Sequence, residues 1–266
     1  MAAPAPGQAG AHLNVSVAAG VLRVTIDRPE RLNALSLALL GDLQSIFSSH
    51  ASNPELRGAI ITGAGNRSFA AGGDLKELAA FRSASEARAV TDVGRRALDA
   101  IRSFPVPVIA AINGTALGGG AELALACDFR VAAPGATIGF LQSRLNITSA
   151  WGGASDLVAT IGPNRALELL LSARIVDAAE ALEIGLLDAV AAEDATLGHA
   201  ADDFCSRWTS KPGHLIRAIV APIRVAKDVL RAKVSATETT GFLATWTHDD
   251  HWAAAVAATG GGSRTN

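Results

Sequence analysis

The sequence has 266 residues, of which 49% are hydrophobic and 18% are charged. A chain of this size can bury the core of one large domain. Its formal net charge of −2 argues against a nucleic-acid-binding protein, and no apolar run reaches the roughly 18 residues that a membrane-spanning helix needs. We therefore expect neither a nucleic-acid nor a membrane partner, and a cytoplasmic location.

The two ends of the chain and the two cysteines carry little functional signal. Residues 1–11 are rich in Ala, Pro and Gly but lack the basic flank and apolar core of a signal peptide, so they predict a disordered leader. We expect a flexible tail at 259–266. Cys127 and Cys205 belong to no paired motif and are predicted to be buried thiols.

The first elements predicted in chain order are a hairpin, a helix and a buried strand. Residues 13–17 and 21–26 flank a short glycine turn, which indicates a β-hairpin. Ser36 is a plausible N-cap for a helix that runs to about residue 47. The apolar run 59–62 then predicts a buried strand.

Two glycine-bearing turns follow buried strands. The first, within 69–76, precedes a helical segment that Asp74 is placed to cap, and the second, at 114–120, lies between a predicted strand at 108–112 and a predicted helix at 121–126. Glycine lets a backbone approach a ligand closely, and the first amides of a helix have no partner within the helix. Each turn can therefore direct one N–H group at the same carbonyl oxygen, as stabilising an oxyanion requires.

Glu122 falls in the first turn of the second of these helices. The helix dipole favours a carboxylate there, so its position alone is equally typical of an ordinary stabilising charge. The stretch Gly63–Ser68 resembles a dinucleotide fingerprint, but it lacks the third glycine and no helix follows at once, which argues against that reading.

The remaining elements change from alternating strands and helices to helices alone. Ser83 and Glu86 form a capping box for a helix that runs to about residue 103. Further on, the pattern predicts these elements: strands at 129–131 and 137–140, a loop at 141–153, a helix at 154–161, and helices from residue 165 with breaks near Gly185, Pro212 and Pro222. This order predicts an α/β core with a C-terminal helical layer.

The sequence contains three ordered motifs: Arg28-Pro-x-x-x-Asn33-Ala-Leu, Phe69-Ala-Ala-Gly-Gly-Asp-Leu-Lys76 and Asn113-Gly-x-Ala-Leu-Gly-Gly-Gly-Ala-Glu122-Leu. Together they resemble the signature blocks of the crotonase superfamily, the enoyl-CoA hydratase/isomerase family. The resemblance covers about residues 13–257. It implies an α/β fold, a crotonase-like spiral of ββα units over 12–200 that holds the coenzyme A thioester site, and a C-terminal helical trimerisation region over 201–258.

The same resemblance implies an acyl-CoA substrate, no separate cofactor because coenzyme A is part of the substrate, and a homotrimer or hexamer. It assigns the two oxyanion-hole amides to Gly73 and Gly119. The residues that it places in or near the adenine and pantetheine groove are Ala71, Asp74 and Leu75, with Leu32 and Ala34 close by.

The acid and base residues differ between the reactions that the family catalyses. Hydratases of the family use two glutamates to hold and activate water; Glu122 matches the first, but Gln142 stands where the second is expected. An amide can orient a water molecule but cannot take its proton, and a general base contributes typically about 10² to 10⁴ in rate. Efficient hydration by the two-carboxylate route is therefore not expected.

The stretch Ser149-Ala-Trp151-Gly-Gly, together with Phe242–Trp246, is most similar to the ethylmalonyl-CoA decarboxylase branch. We therefore predict decarboxylation of a short alkylmalonyl-CoA, a lyase reaction of fatty acid metabolism. Glu122 would supply or relay the proton that the enolate takes up, while Gln142, Asn146 or Thr148 would orient the departing carboxylate, and Trp151 would contact the substrate.

Several alternatives remain open at this point. The enzyme could be an enoyl-CoA hydratase or dehydratase that uses a single glutamate, an enoyl-CoA isomerase or a thioester hydrolase. A different class of function is an inactive CoA-binding scaffold subunit. We predict no metal site, since His248 and His251 are separated by two acids that are more often solvated. Trp208, Trp246 and Trp252 are predicted to pack helices or subunits.

Overall fold

The computed structural model describes residues 12–260, so the leader predicted at 1–11 and residues 261–266 of the tail predicted at 259–266 lie outside the described residues, while residues 259–260 end the last helix. The strands are β1 (Leu13–Ala18), β2 (Val21–Ile26), β3 (Gly58–Gly63), β4 (Ser68–Ala70), β5 (Val108–Ile112), β6 (Thr115–Leu117), β7 (Phe129–Ala132), β8 (Thr137–Gly139), β9 (Ile175–Asp177) and β10 (Ala189–Val190). The α-helices are α1 (Leu37–His50), α2 (Leu75–Leu78), α3 (Ala84–Arg102), α4 (Gly119–Ala126), α5 (Gly153–Ile161), α6 (Pro163–Ser172), α7 (Ala178–Glu183), α8 (Leu197–Thr209), α9 (Gly213–Trp246) and α10 (Asp249–Gly260).

The chain winds as a spiral between two sheets. The larger sheet has the order β1-β2-β3-β5-β7-β10 and the smaller has the order β4-β6-β8-β9. Each of the pairs β3-β4, β5-β6 and β7-β8 gives its first strand to the larger sheet and its second to the smaller sheet before the chain enters a helix. This confirms the α/β spiral of ββα units with helices at the C-terminal end.

The central strands of the larger sheet are buried on both faces. Successive side chains of a strand point to opposite faces, so Val108, Ala110 and Ile112 of β5 enter the main core with α1 and α3, while Ile109 and Ala111 face a second cluster under α8. This explains why β5 reads as a continuous apolar run. Helix α8 begins at Leu197, so the boundary predicted at residue 200 lies inside it.

A left-handed turn at Leu32 and Asn33 fixes the loop that follows β2. Their φ angles are 51° and 56°, which side chains other than glycine adopt rarely. The fully buried Asn33 side chain compensates, because it accepts a hydrogen bond from Arg28 N at 3.0 Å and donates to Ala64 O at 3.1 Å and Ser68 O at 2.7 Å. The first signature motif is thereby tied to the turn between β3 and β4.

Helix α9 runs unbroken through Pro222, so the break predicted there was wrong. Proline removes one backbone hydrogen bond, and side chains hold the helix on both sides of it. Arg217 donates to Asn53 O at 2.5 Å, and Arg224 donates to Asp128 Oδ2 at 2.6 Å. The helix therefore continues without a break to Trp246, and its last turns reach the region of the glycine turns.

Two predicted helix starts are confirmed in atomic detail. Ser36 Oγ accepts a hydrogen bond from Leu39 N, and Ser83 and Glu86 form the reciprocal capping box. Strands β4, β6, β9 and β10 were not predicted, and β6 occupies residues 115–117 of the turn predicted at 114–120. Two or three residues carry too little pattern to distinguish a strand from the surrounding turns and helices. No helix in residues 12–260 has both the length and the apolar composition that crossing a bilayer requires.

The contact between α4 and β4 generates a stability prediction. A Cβ added to Gly120 would lie 1.9 Å from Ala70 O, whereas one added to Gly135 would have no neighbour within 4 Å. Overpacking of this kind costs about 1–3 kcal/mol or more, since backbone must move. We expect Gly120→Ala to lower the thermal midpoint by several degrees or to prevent folding, and Gly135→Ala to leave it unchanged or slightly raised. Equal midpoints in calorimetry would contradict the contact.

Candidate active site

The two glycine turns meet at one end of the smaller sheet. Leu35 N donates to Gly72 O at 2.8 Å and Asp74 N donates to Leu35 O at 3.0 Å, which fixes the first turn against the first motif. A Cβ on Gly72 would lie 3.6 Å from Gly119 N, so the turns are in contact. Within the described residues, the Gly73 and Gly119 amides donate no hydrogen bond.

Both glycines line a cavity of about 340 Å³ that is mostly apolar. The side chains that form its walls come from α2, α3, the loop before α5, α9 and α10. Among them are Leu78, Val90, Leu145, Ile147, Phe242 and Trp246. Two free amides at the rim of an apolar cavity can hold the oxygen of a thioester whose acyl chain enters the cavity.

Trp151 packs directly on three glycines. A Cβ on Gly94 of α3 would lie 2.2 Å from Trp151 Nε1, and a Cβ on Gly119 would lie 2.4 Å from Trp151 Cζ3. A Cβ on Gly73 would be 3.7 Å from the same ring. The indole therefore lies beside both candidate oxyanion amides and fills space that an acyl chain would otherwise occupy. This close packing also explains a glycine in the middle of α3, where it costs helix stability.

Glu122 is buried, 3% exposed, and held by four hydrogen bonds. Its Oε1 accepts from Ser149 Oγ at 2.6 Å, Trp151 N at 3.1 Å and Gly153 N at 3.1 Å. Its Oε2 accepts from Gln142 Nε2 at 3.1 Å. Oε1 is thus fully engaged with the protein, and Oε2 is the oxygen left for chemistry.

The polar groups near Glu122 differ from those that the sequence suggested. Gln142 reaches the site as predicted, and its Oε1 is buried without a partner within the described residues, as is Thr91 Oγ1 on the opposite wall. Thr148 also lines the cavity. Asn146 does not: its amide donates to Asp250 O at 3.1 Å and the side chain is exposed. Thr91 was not predicted, because a single threonine in a helix carries no distinguishing pattern.

The predicted groove residues divide into two groups. Ala71 and Leu75 line the cavity, as Trp151 does. Asp74 does not cap α2 with its side chain, so that prediction was wrong. Arg28 binds it instead at 3.2 Å and donates to Ala34 O at 2.6 Å.

Leu32 lies beside this groove, since its carbonyl accepts from Ala71 N at 3.1 Å. Its side chain and that of Leu75 are exposed, at 37% and 40%. Arg28 joins the first two motifs. Leu75 is an exposed apolar side chain on the cavity wall, and Leu32 is an exposed apolar side chain whose carbonyl contacts that wall at Ala71.

Sequence reasoning missed the second carboxylate near this site. Glu238 of α9 is 8% exposed; its Oε1 lies 3.1 Å from Ser149 Oγ and accepts from Ala154 N at 3.0 Å. Burial first, and the negative charge of Glu122 second, raise the pKa of Glu238 above its ordinary value. A signal did exist: Glu238 is an isolated acid one turn before Phe242 and two turns before Trp246, on one helix face.

The cysteines and the C-terminal histidines lie outside this chemistry. Burial raises the pKa of Cys127 to about 12 and that of Cys205 to about 11, so both remain thiols. His248 is exposed beside Asp250, whereas His251 is buried between Trp246 and Trp252 with Nδ1 2.7 Å from Leu145 O. In residues 12–260, no group of three or more His, Cys, Asp or Glu could hold a metal ion.

The tryptophans pack as predicted, with one addition. Trp208 packs against Phe129 and Phe204 under the larger sheet. Trp246 packs against Phe242 and donates to Phe81 O at 2.8 Å, but its ring also lines the cavity, which the sequence did not indicate.

Comparison with known proteins agrees with this geometry. The model of the enoyl-CoA hydratase/isomerase family matches residues 16–256. The chain belongs to this family. The crotonase-superfamily resemblance predicted from the three motifs is therefore confirmed, and with it an acyl-CoA enzyme family.

Relatives within the family are named for different reactions. The chain is 41% identical to crotonyl-CoA hydratase of Syntrophomonas wolfei over 62% of its own length and 63% of the relative, so it spans less than two thirds of that protein. It is 31% identical to ethylmalonyl-CoA decarboxylase of Gallus gallus over 90% of this chain and 80% of the relative. An enoyl-CoA hydratase structure from Bacillus anthracis is 35% identical, with a TM-score of 0.77 over 85% of this chain and 90% of that one.

The position of Trp151 predicts how acyl-chain length is limited. We expect Trp151→Ala to lower the free energy of unfolding by about 3–5 kcal/mol and to tighten binding of a long-chain acyl-CoA such as octanoyl-CoA relative to butyryl-CoA, because the indole volume is freed. Calorimetric titration measures both affinities. Trp208→Ala is the matched control: we expect it to lower the stability of the protein without changing the ratio of the octanoyl-CoA and butyryl-CoA affinities. An unchanged ratio in Trp151→Ala would refute this role.

Proposed function

We propose that the protein is a carboxy-lyase that removes carbon dioxide from a short alkylmalonyl-CoA. The observation that carries this proposal is the set of acidic residues that line the cavity. Among the described lining residues, Glu122 is the single carboxylate, and position 142 has an amide side chain. Decarboxylation needs an oxyanion hole and a source of one proton. Hydration also needs a base to activate water, and Gln142 cannot act as one.

The proposed reaction uses the two turns first. The thioester oxygen would accept hydrogen bonds from Gly73 N and Gly119 N, which stabilise the negative charge that develops as the C–CO2 bond breaks. The electron pair of that bond becomes the enolate, and carbon dioxide leaves. The α-carbon then takes a proton from Glu122 Oε2, the carboxylate oxygen with a single protein partner, which would first take that proton from a water molecule in the cavity.

The shape and polarity of the cavity support a short acyl group. Trp151 closes the space beside Gly119, and the walls of Leu78, Val90 and Phe242 are apolar. The Thr91 hydroxyl has no partner within the described residues and is available to orient a substrate carboxylate, whereas Thr148 Oγ1 already donates to Ser149 O at 3.2 Å. Gln142 Nε2 is bound to Glu122, so the Thr91 hydroxyl is better placed for this task than the amide.

A second candidate is an enoyl-CoA hydratase that uses Glu122 alone. The unpartnered Gln142 Oε1 favours it, because that oxygen can accept a hydrogen bond from water and hold it beside Glu122 Oε2. The name crotonyl-CoA hydratase of a relative 41% identical over part of the chain agrees with this alternative. The second carboxylate of the two-glutamate route is still missing, so we expect this reaction to be slow.

The two reactions are distinguished by the mass of the product. We expect incubation with ethylmalonyl-CoA or methylmalonyl-CoA in deuterated water to release carbon dioxide and leave deuterium on the α-carbon, with little change in crotonyl-CoA. Addition of water to crotonyl-CoA at a rate typical of hydratases would overturn the proposal in favour of the second candidate. Tight binding of all three thioesters without turnover would favour an inactive scaffold.

A substitution at position 142 should move the enzyme between the two reactions. We expect Gln142→Glu to raise hydration of crotonyl-CoA by about 10²-fold or more, because it restores a proton acceptor beside Glu122, and to lower decarboxylation. Gln44→Glu on α1 is the matched control that adds the same charge outside the cavity. If hydration does not rise in Gln142→Glu while the protein stays folded, the missing carboxylate is not what limits hydration.

We also propose that the protein forms a homotrimer or a dimer of trimers through the first half of α9. One face of that segment exposes the apolar side chains Leu215, Ile219, Ile223, Val225 and Val229, with exposed fractions from 41% to 63%. A contiguous apolar face of this kind is typical of a protein interface.

Sedimentation velocity tests the assembly. We expect the unmodified protein to sediment as a trimer or hexamer and Ile219→Glu to shift it toward the monomer, since a buried unpaired charge opposes association. Val17→Glu, which places the same charge on the exposed edge strand β1, should leave the assembly intact. Monomeric behaviour of the unmodified protein would exclude the proposed assembly.

A further inference from the structure

Ser149 lies between two buried carboxylates. Its Oγ is 2.6 Å from Glu122 Oε1 and 3.1 Å from Glu238 Oε1. A hydroxyl has one proton to donate. Two ionised carboxylates would compete for that proton, and one of these distances would then join two acceptors with no hydrogen between them.

The charges around Glu122 and Glu238 also argue against both carboxyl groups being ionised. Arg95 of α3 is the cation in contact with Glu238, at 3.4 Å from Oε2, and its other donors are directed at Ala150 O at 2.6 Å and at Ser235 Oγ at 2.5 Å. With both glutamates ionised, this buried group would carry one net negative charge, and with one proton on the pair it is neutral. A buried uncompensated charge is costly, so the neutral arrangement is favoured.

The neighbouring ionised groups do not supply the missing charge. Asp156 of α5 binds Arg102 at 2.7 Å and Arg231 at 3.5 Å, and these arginines also bind Asp99 and Asp228. That network contains two arginines and three aspartates, so it has no positive charge to spare for Glu122 and Glu238. Glu238 therefore faces Glu122 from α4 and Arg95 from α3, with the amide of Ala154 at the start of α5.

We propose that Glu238 is a positioning residue of this site: it and Glu122 carry one proton between them, held on Glu238 Oε1 and donated to Ser149 Oγ, whose own proton is donated to Glu122 Oε1. In this chain every oxygen has a complementary partner, since Glu238 Oε1 still accepts from Ala154 N. The raised pKa of Glu238 agrees with this assignment. Glu122 is thereby kept as the ionised partner, with Oε2 directed to the cavity.

The arrangement also gives a route for exchange of the proton. If the proton on Glu238 moves to Ser149 Oγ while the Ser149 proton moves to Glu122 Oε1, Glu122 becomes neutral and Glu238 becomes the carboxylate. The net charge is unchanged. Helix α9 would then supply the second carboxylate that position 142 lacks, on the side of Glu122 away from the cavity. This inference does not depend on which thioester the enzyme uses.

Infrared spectroscopy of the full-length protein without substrate tests the proton. We expect a carboxylic-acid C=O band at neutral pH that disappears in Glu238→Gln. Glu168→Gln is the matched control: Glu168 is exposed and bound to Arg174 at 2.7 Å, and the hydrogen bond from Arg174 lowers its pKa, so its removal should leave the band unchanged. A spectrum without a Glu238-dependent acid band at neutral pH would overturn the proposal.

Coupling to Glu122 provides the second readout. In Glu122→Gln the repelling charge is removed, so we expect the acid band to titrate at a pH about one to three units lower. An unchanged midpoint in a folded Glu122→Gln variant would show that the two carboxyl groups do not share a proton. Neither infrared result requires turnover, so failure of the decarboxylase assay and failure of this proposal are distinguishable.

The pH dependence of stability follows with a definite sign. Because the pKa of Glu238 is raised in the folded state, its contribution to stability is complete below the unfolded-state pKa and is lost as the pH rises through the folded-state value. We expect Glu238→Gln to remove this loss, so that the thermal midpoint of the variant rises relative to that of the unmodified protein as the pH increases. A difference between the two midpoints that stays constant with pH would show that Glu238 has a packing role alone and would contradict the shared proton.

Discussion

The close approach of two backbone segments is the constraint on which the rest of the site depends. A Cβ on Gly120 would lie 1.9 Å from Ala70 O, so the first turn of α4 touches the end of β4 with no side chain between them. This contact brings the Gly119 amide beside the turn at Gly72 and Gly73. Amides in two different turns can then serve one oxygen without any side chain having to move, which is the value of a preorganised oxyanion site.

The first signature motif supports this contact from the other side. Arg28 holds Ala34 O and Asp74, while Asn33 spans the turn between β3 and β4 from a left-handed conformation. Asn113 of the third motif donates to Ser68 O at 3.1 Å, the same carbonyl that Asn33 binds, so the three separated motifs form one hydrogen-bonded unit. Their order and spacing are recognisable in the sequence because each residue type is needed for the backbone conformation or the hydrogen bonds of its own turn.

Helix α9 is a functional wall as well as a C-terminal layer. Its last turns contribute Phe242 and Trp246 to the cavity, and the turn before Phe242 brings Glu238 Oε1 to within 3.0 Å of Ala154 N at the start of α5. Arg95 ties the helix to the loop that carries Ser149 and Trp151. The environment of Glu122 therefore depends on residues more than a hundred positions away along the chain.

Local patterns were sufficient for much of the fold. The hairpin, the strands β3 and β5, and the caps at Ser36 and Ser83 follow from alternation, apolar runs and capping chemistry, which act over a few residues. Predictions failed where distant contacts overrode a local rule. Asp74 stands at a helix start but binds Arg28, and Pro222 stands inside a helix that Arg217 and Arg224 hold in place.

The sequence by itself determined the family, the α/β spiral and the positions of Gly73, Gly119, Glu122 and Gln142, because these depend on residue types within short, ordered motifs. Only the tertiary structure decided which groups surround Glu122. Ser149 and Glu238 meet through the packing of α9 against the loop before α5, and no local periodicity encodes a contact across 89 positions. The number of carboxylates at the site, and the proton they share, is therefore a property of the fold.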